Sequence, residues 1–175
     1  MNIRHIGTGA AGALATLLLG SCGGDFTFEM DVNFEPDGTN PASTTFSTTQ
    51  AVDLTTNPDA WKHRDKLDKV DITGTSGTCT SVAGNNLATT GSGTITFIPD
   101  GGGTGTVVAN WTGVTIGPGS TIEVDMTQAG AAEAFLKSAL KGTGKFSVKL
   151  DGTTDAPPHF FATVTFRVKV RYNFL

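Results

Sequence analysis

The 175-residue chain has two cysteines, Cys22 and Cys79, and therefore no disulfide framework to staple a fold. Its three histidines, His5, His63 and His159, have no second His or Cys at metal-ligand spacing, so no zinc site and no metal is expected. The longest apolar run, Ala10 to Leu19, is interrupted by Gly and Thr. It reaches about half of the roughly 20 residues that a membrane-crossing helix needs. Positive charge is scarce: 12 Lys and Arg stand against 16 Asp and Glu, which argues against nucleic acid as a partner. No Gly-x-Ser-x-Gly elbow occurs. The Gly-rich Asp100–Gly105 stretch has no lysine and no helix pattern behind it, so it is not a phosphate loop.

What is present begins with a leader. Arg4 and His5 form a short basic front, the apolar run follows, and the small residues Gly20 and Ser21 precede Cys22. The stretch Leu19-Gly20-Ser21-Cys22 resembles the lipobox of bacterial lipoproteins. That resemblance implies cleavage between Ser21 and Cys22, a diacylglycerol thioether on Cys22, and acylation of the new amine by a fatty acid such as palmitate. It implies a cell-envelope location, lipid-anchored. Because Gly23 rather than Asp follows the cysteine, it implies the outer membrane where the host has two. Stable anchoring by several acyl chains fits the gain of about 0.8 kcal/mol per buried methylene. The expected organisation is a removed signal peptide (1–21), an anchor and short tether (22–25), and one domain (26–175).

The rest reads as β-structure. Of 29 threonines, 27 follow Cys22, and threonine suits the solvent side of a pleated sheet. Phe26, Phe28, Met30, Val32 and Phe34 alternate with Thr27, Glu29, Asp31 and Asn33, the period of an amphipathic strand. Further strands are expected at Phe46–Leu54, at Val70–Ile72 with a continuation through Gly74–Ser81, and at Thr94–Pro99. Others are expected at Thr104–Thr112, Val114–Ile116, Thr121–Asp125, Phe146–Leu150 and Ala162–Phe174. The stretches 84–93 and 151–158 read as loops. Asn57 with Pro58 predicts a short capped helix, with Trp61 pinning it to the sheet. Ala132, Phe135, Leu136, Ala139 and Leu140 share one helical face, and Gly142 is placed to stop that helix. The expected fold is all-β: an antiparallel β-sandwich, immunoglobulin-like in the loose sense, with two short helices in connections. A small closed barrel is the alternative.

Charge is segregated along the chain. Seven acids and no Lys or Arg lie between Cys22 and Trp61, and seven bases against two acids lie between Ala134 and the end. Arg167, Lys169 and Arg171 occupy the polar parity of the last strand, and Glu29 and Asp31 that of the first. Adjacent first and last strands would pair these charges across the ladder. An open basic face would instead meet anionic lipid or acidic polysaccharide. Candidate ligand-binding residues are thus Arg167, Lys169 and Arg171, together with Trp111, whose ring could present a stacking face. Asp151-Gly-Thr-Thr-Asp155 has oxygens for calcium but not the length or terminal Glu of an EF-hand, and a hairpin turn is the simpler reading. Glu123 and Asp125 share a strand face, as a glycosidase pair would need, but in a small domain with few aromatics. No catalytic residues and no cofactor are expected. The expected protein is a non-enzymatic structural, adaptor or binding module, held to a membrane through Cys22. Its partner would be an envelope protein, anionic lipid or polysaccharide. The alternative is a carrier that holds a small hydrophobic ligand or glycan in a slot of the sandwich.

Overall fold

A computed structural model describes residues 24–36, 43–126 and 128–173. Eight strands form two antiparallel four-stranded sheets. They are β1 (Gly24–Phe34), β2 (Thr45–Asp53), β3 (Leu67–Val82), β4 (Thr90–Pro99), β5 (Thr106–Thr115), β6 (Thr121–Ile122), β7 (Lys145–Thr154) and β8 (Phe160–Tyr172). The first sheet has the order β1-β8-β3-β6 and the second β2-β7-β4-β5. This is an all-β sandwich with two short helices, α1 (Pro58–Lys62) and α2 (Ala129–Lys141). In the first sheet the first strand pairs with the last. None of the described helices is long and apolar enough to cross a membrane.

Alternation drives the core. Phe28, Met30, Val32 and Phe34 of β1 are buried beside Phe160, Ala162, Val164, Phe166, Val168, Val170 and Tyr172 of β8. From the second sheet, Phe46, Phe146, Val148, Leu150, Ile95, Phe97 and Trp111 face them. Phe97 is central, with Phe135, Phe146 and Phe166 at centroid distances of 5.3–5.4 Å. Such ring pairs contribute about 0.5–1.5 kcal/mol beyond their burial.

The helices close gaps that the strands leave. β6 pairs over two residues only. Against β3 and β5, α2 buries Ala132, Leu136 and Leu140, and Glu133 accepts the Ile72 amide at 3.0 Å. The periodicity of its apolar residues predicts this face. Helix α1 is capped as expected: the Asn57 side chain accepts the Asp59 and Ala60 amides. Trp61 lies against the turn after α2, where Gly144 (φ 74°) leaves room for its ring, and Arg64 stacks on it at 4.2 Å. The Tyr172 hydroxyl donates to the Ala60 carbonyl at 2.9 Å and the Asp59 carbonyl at 3.2 Å, tying α1 to the end of β8.

Several boundaries differ from expectation. The strand at Val70–Ile72 does continue through Gly74–Ser81 as expected, but it starts earlier, at Leu67, and carries three register shifts. Strand β4 starts at Thr90, so Gly91–Gly93 belong to the sheet rather than to a loop. The stretches expected at Thr104–Thr112 and Val114–Ile116 merge into β5. Of Thr121–Asp125, two residues form β6, and Asp125 makes a single bridge to Asn110. The described strands form two separate sheets and not a closed barrel. Asp151–Thr154 continue β7 and are neither a turn nor a calcium loop. Strand β1 starts at Gly24, so Gly24 and Asp25 belong to the sheet and not to a tether. The last strand spans Phe160–Tyr172, and Phe174 lies outside the described residues.

Candidate functional site

The charged residues of the last strand come together with those of the first. The β1/β8 register sets Asp25 opposite Arg171, Thr27 opposite Lys169 and Glu29 opposite Arg167. Arg167 donates through Nε and Nη2 to one oxygen of Glu29, at 3.1 and 2.6 Å. Asp25 takes Lys169 at 2.8 Å and Arg171 at 3.1 Å. These two hydrogen-bonding cations hold its carboxyl below the usual range. Thr165 and Thr163 donate to Asp31 and Asn33 at 2.7 Å, which continues the ladder. Three further strand lysines also meet carboxylates: Lys145 reaches Asp53 across the β2/β7 ladder, while Lys69 meets Asp71 and Lys149 meets Asp151 along their own strands. The three basic candidates are thus all engaged inside the domain. This is the outcome expected of neighbouring strands, with about 0.2–1 kcal/mol per pair.

Trp111 lies inside the sandwich with 3% of its surface exposed, so it presents no stacking face. The reason is a row across the second sheet. Phe46, Gly152, Gly93 and Trp111 are successive register partners on β2, β7, β4 and β5. The two glycines bring no Cβ to the row, and the flanking rings lean over them. They meet each other at 6.1 Å. A Cβ at Gly93 would stand 2.7 Å from the Trp111 nitrogen, and one at Gly152 would stand 2.4 Å from the Phe46 ring. The Trp111 N–H is buried without a hydrogen-bond partner.

On the outer side, the same glycine backbone floors an open trough of about 570 Å³. Thr45, Ser92, Thr94, Asn110, Asp151 and Thr153 line it. Its polar groups are partly committed: Ser92 accepts the Gly113 amide at 2.8 Å, and Asp151 holds Lys149. Phe46 and Trp111 also border it, although both are buried residues of the core. Among the described residues, one void between the sheets measures about 10 Å³ and is lined by Ile95, Trp111, Ile122, Val124, Leu150, Phe160, Ala162 and Val164. That is space for about one water.

The other titratable groups do not converge. His159 approaches Glu35 at 3.4 Å, and His63 packs edge-on against Tyr172. Cys79 is buried, which pushes its thiol upward. Asp155 receives the Thr89 hydroxyl and the Thr89 and Thr90 amides, and these hold its carboxyl far below the usual range. It clamps the 83–89 connection to the end of β7. No group of three His, Cys, Asp or Glu residues that could hold a metal occurs among the described residues. Cys22 and Ser21, the expected attachment and cleavage positions, lie outside them.

No protein-family model, curated protein or solved structure matches this chain.

Proposed function

We propose that this protein is a lipid-anchored cell-envelope module that acts without catalysis, as a structural or adaptor element working through its surface. The observation that carries the reading is Leu19-Gly20-Ser21-Cys22 at the end of a short apolar leader. Strand β1 begins at Gly24, so one residue separates Cys22 from the sheet. An extended residue spans at most about 3.6 Å, so a lipid on Cys22 would hold the domain against the membrane surface.

The packed interior favours the adaptor over the carrier. Pockets that enclose small molecules run to about 300–1,000 Å³, whereas two voids enclosed among the described residues measure about 10 and 20 Å³. The ion-paired β1/β8 ladder weighs against anionic headgroups or acidic polysaccharide as the main partner, because the cations that would attract them already hold carboxylates.

Metabolic labelling with an alkynyl fatty acid tests the anchor. The full chain takes up label and fractionates with membranes, and Cys22→Ala loses both. Unmodified sulfur at Cys22, found by mass spectrometry of protein from its own cells, defeats the reading. Flotation of the unlipidated domain with anionic vesicles at low salt tests the paired ladder. No binding is expected, and firm binding would restore the basic face.

A further inference from the structure

The outer edge of β2 is a strand surface that the described residues do not cover, and its geometry selects one occupant. Backbone phase comes first. In an antiparallel ladder, alternate residues exchange both hydrogen bonds with the partner strand, and the residues between them point their amides and carbonyls the other way. Two bonds that bracket β2 set the phase: Thr154 N–H to Thr44 C=O, and Leu54 N–H to Gly144 C=O, both 2.8 Å. In the β2/β7 register, the even-numbered residues Phe46, Thr48, Gln50 and Val52 therefore bond to β7. The odd-numbered Thr45, Ser47, Thr49, Ala51 and Asp53 direct their backbone groups outward.

Both ends of this outward row are occupied. The Ser43 hydroxyl contacts both backbone groups of Thr45: it donates to the carbonyl at 2.9 Å and lies 3.2 Å from the amide nitrogen. The Thr56 hydroxyl donates to the Asp53 carbonyl at 2.8 Å. Among the described residues, what stays open is Ser47, Thr49 and Ala51, a stretch symmetric about Thr49. A copy of the same strand laid antiparallel about Thr49 pairs Ser47 with Ala51 and Thr49 with itself. No charges meet, and outward backbone groups face outward backbone groups.

The other three edges are defended. Strand β6 is two residues long, and β5 is broken by two register shifts and held at Asn110 by the Asp125 bridge. Strand β1 is as long as β2, and its outward residues follow from the Phe160 N–H to Pro36 C=O bond. They are Asp25, Thr27, Glu29, Asp31 and Asn33. Any self-pairing of β1 centred between Thr27 and Asp31 sets a carboxylate opposite a carboxylate, the usual guard on a sheet edge. Between Thr45 and Val52, β2 has no charge, no proline and no register shift.

We infer that two copies of this chain join through antiparallel β2–β2 pairing about Thr49, making one eight-stranded sheet across a twofold axis. The inference does not rest on the lipid anchor, since the edge is complete in the domain itself.

Disulfide trapping in cells that express the full chain reads the register directly. Paired residues that exchange both bonds lie about 5.5 Å apart at Cα, within reach of a disulfide. Thr49→Cys should give a covalent dimer of the chain, while Thr27→Cys on the guarded β1 edge should not. Purified full chain in detergent should sediment as two copies, and Thr49→Lys should sediment as one with an unchanged circular-dichroism spectrum, because it sets like charges opposite each other at an exposed position. Monomeric wild-type chain, equal trapping at positions 27 and 49, or a Thr49→Cys adduct with a different polypeptide would each overturn the inference. Loss of membrane labelling at Cys22 would leave the sedimentation result standing, so the two proposals fail separately.

Discussion

The two sheets enclose one core but are held together differently. The first, β1-β8-β3-β6, wears its specificity outside, as acids of β1 and bases of β8 in register. The second, β2-β7-β4-β5, carries it inside, as glycines of β4 and β7 under rings of β2 and β5. Surface pairs select neighbours at little energetic cost, and interior volume matching is strict. The same division appears at the edges. Strand β1 carries the charges that mate with β8 and is guarded by them, while β2 gains its place from Phe46 and Val52 and has no charge on its open stretch.

If the interior row holds the second sheet, breaking it gives the largest effects. A Cβ at Gly93 would lie 2.1 Å from the Asp151 carbonyl oxygen and 2.7 Å from the Trp111 nitrogen, and backbone cannot yield as a side chain can. Gly93→Ala should cost about 3 kcal/mol or more by overpacking. At Gly91 the nearest atoms are side chains at 3.1 Å, so Gly91→Ala should cost well under half as much. Urea unfolding of the two variants decides, and equal losses would show that the row is not the constraint.

A middle effect is expected where the first sheet meets α1. Tyr172→Phe removes the one hydroxyl proton shared between the Asp59 and Ala60 carbonyls and should cost about 1 kcal/mol. Burial, and then the charge of Asp59, push the Tyr172 hydroxyl up to about 12. Its folded value lies above its unfolded value of about 10. The stability that this difference contributes is therefore fully present below pH 10 and is lost as pH rises through about 12. Since the chain has a single tyrosine, its ultraviolet absorbance titration reads this group alone. A midpoint near 10 in the folded chain would contradict the buried contact, and Tyr172→Phe should flatten the alkaline loss of stability.

Where periodicity is local, the sequence reads cleanly. The alternation of β1 and β8, the 3.6-residue stripe of α2 and the Asn57 cap each depend on residues within a few positions of one another. The pairing of β1 with β8 was legible too, because opposite charges sat on the polar parity of both strands. Glycine misled. Gly91, Gly93 and Gly152 read as loop residues, yet each lies in a strand where a ring from a neighbouring strand needs the space. That need is set by register between segments distant in sequence, which local composition does not encode. The same holds for Trp111: alternation allows either face, and only the row with Gly93 sends the indole inward. The open stretch of β2 was invisible for another reason. Which amides point outward depends on the phase of hydrogen bonding to β7, and side-chain pattern does not report it.

The smallest effect should come from the ladder of the first sheet, and it is the sharpest test of the contrast between the sheets. Glu29 and Arg167 have side chains 41% and 60% exposed. Water screens their attraction, and fixing two long side chains costs entropy, so a double-mutant cycle with Glu29→Gln and Arg167→Gln should give a coupling of about 0.2–1 kcal/mol that shrinks with added salt. Swapping the pair, Glu29→Arg with Arg167→Glu, should keep most of that coupling, because register and not the identity of the strand makes the contact. The reversal also sets a cation on the open edge of β1, between Asp25 and Asp31. That edge would then no longer be uniformly acidic, and self-pairing of β1 would become the competitor to watch. A coupling several times larger, or one indifferent to salt, would mean that the first sheet too is held by a tightly fitted, desolvated contact, and the division between an outer code and an inner one would fail.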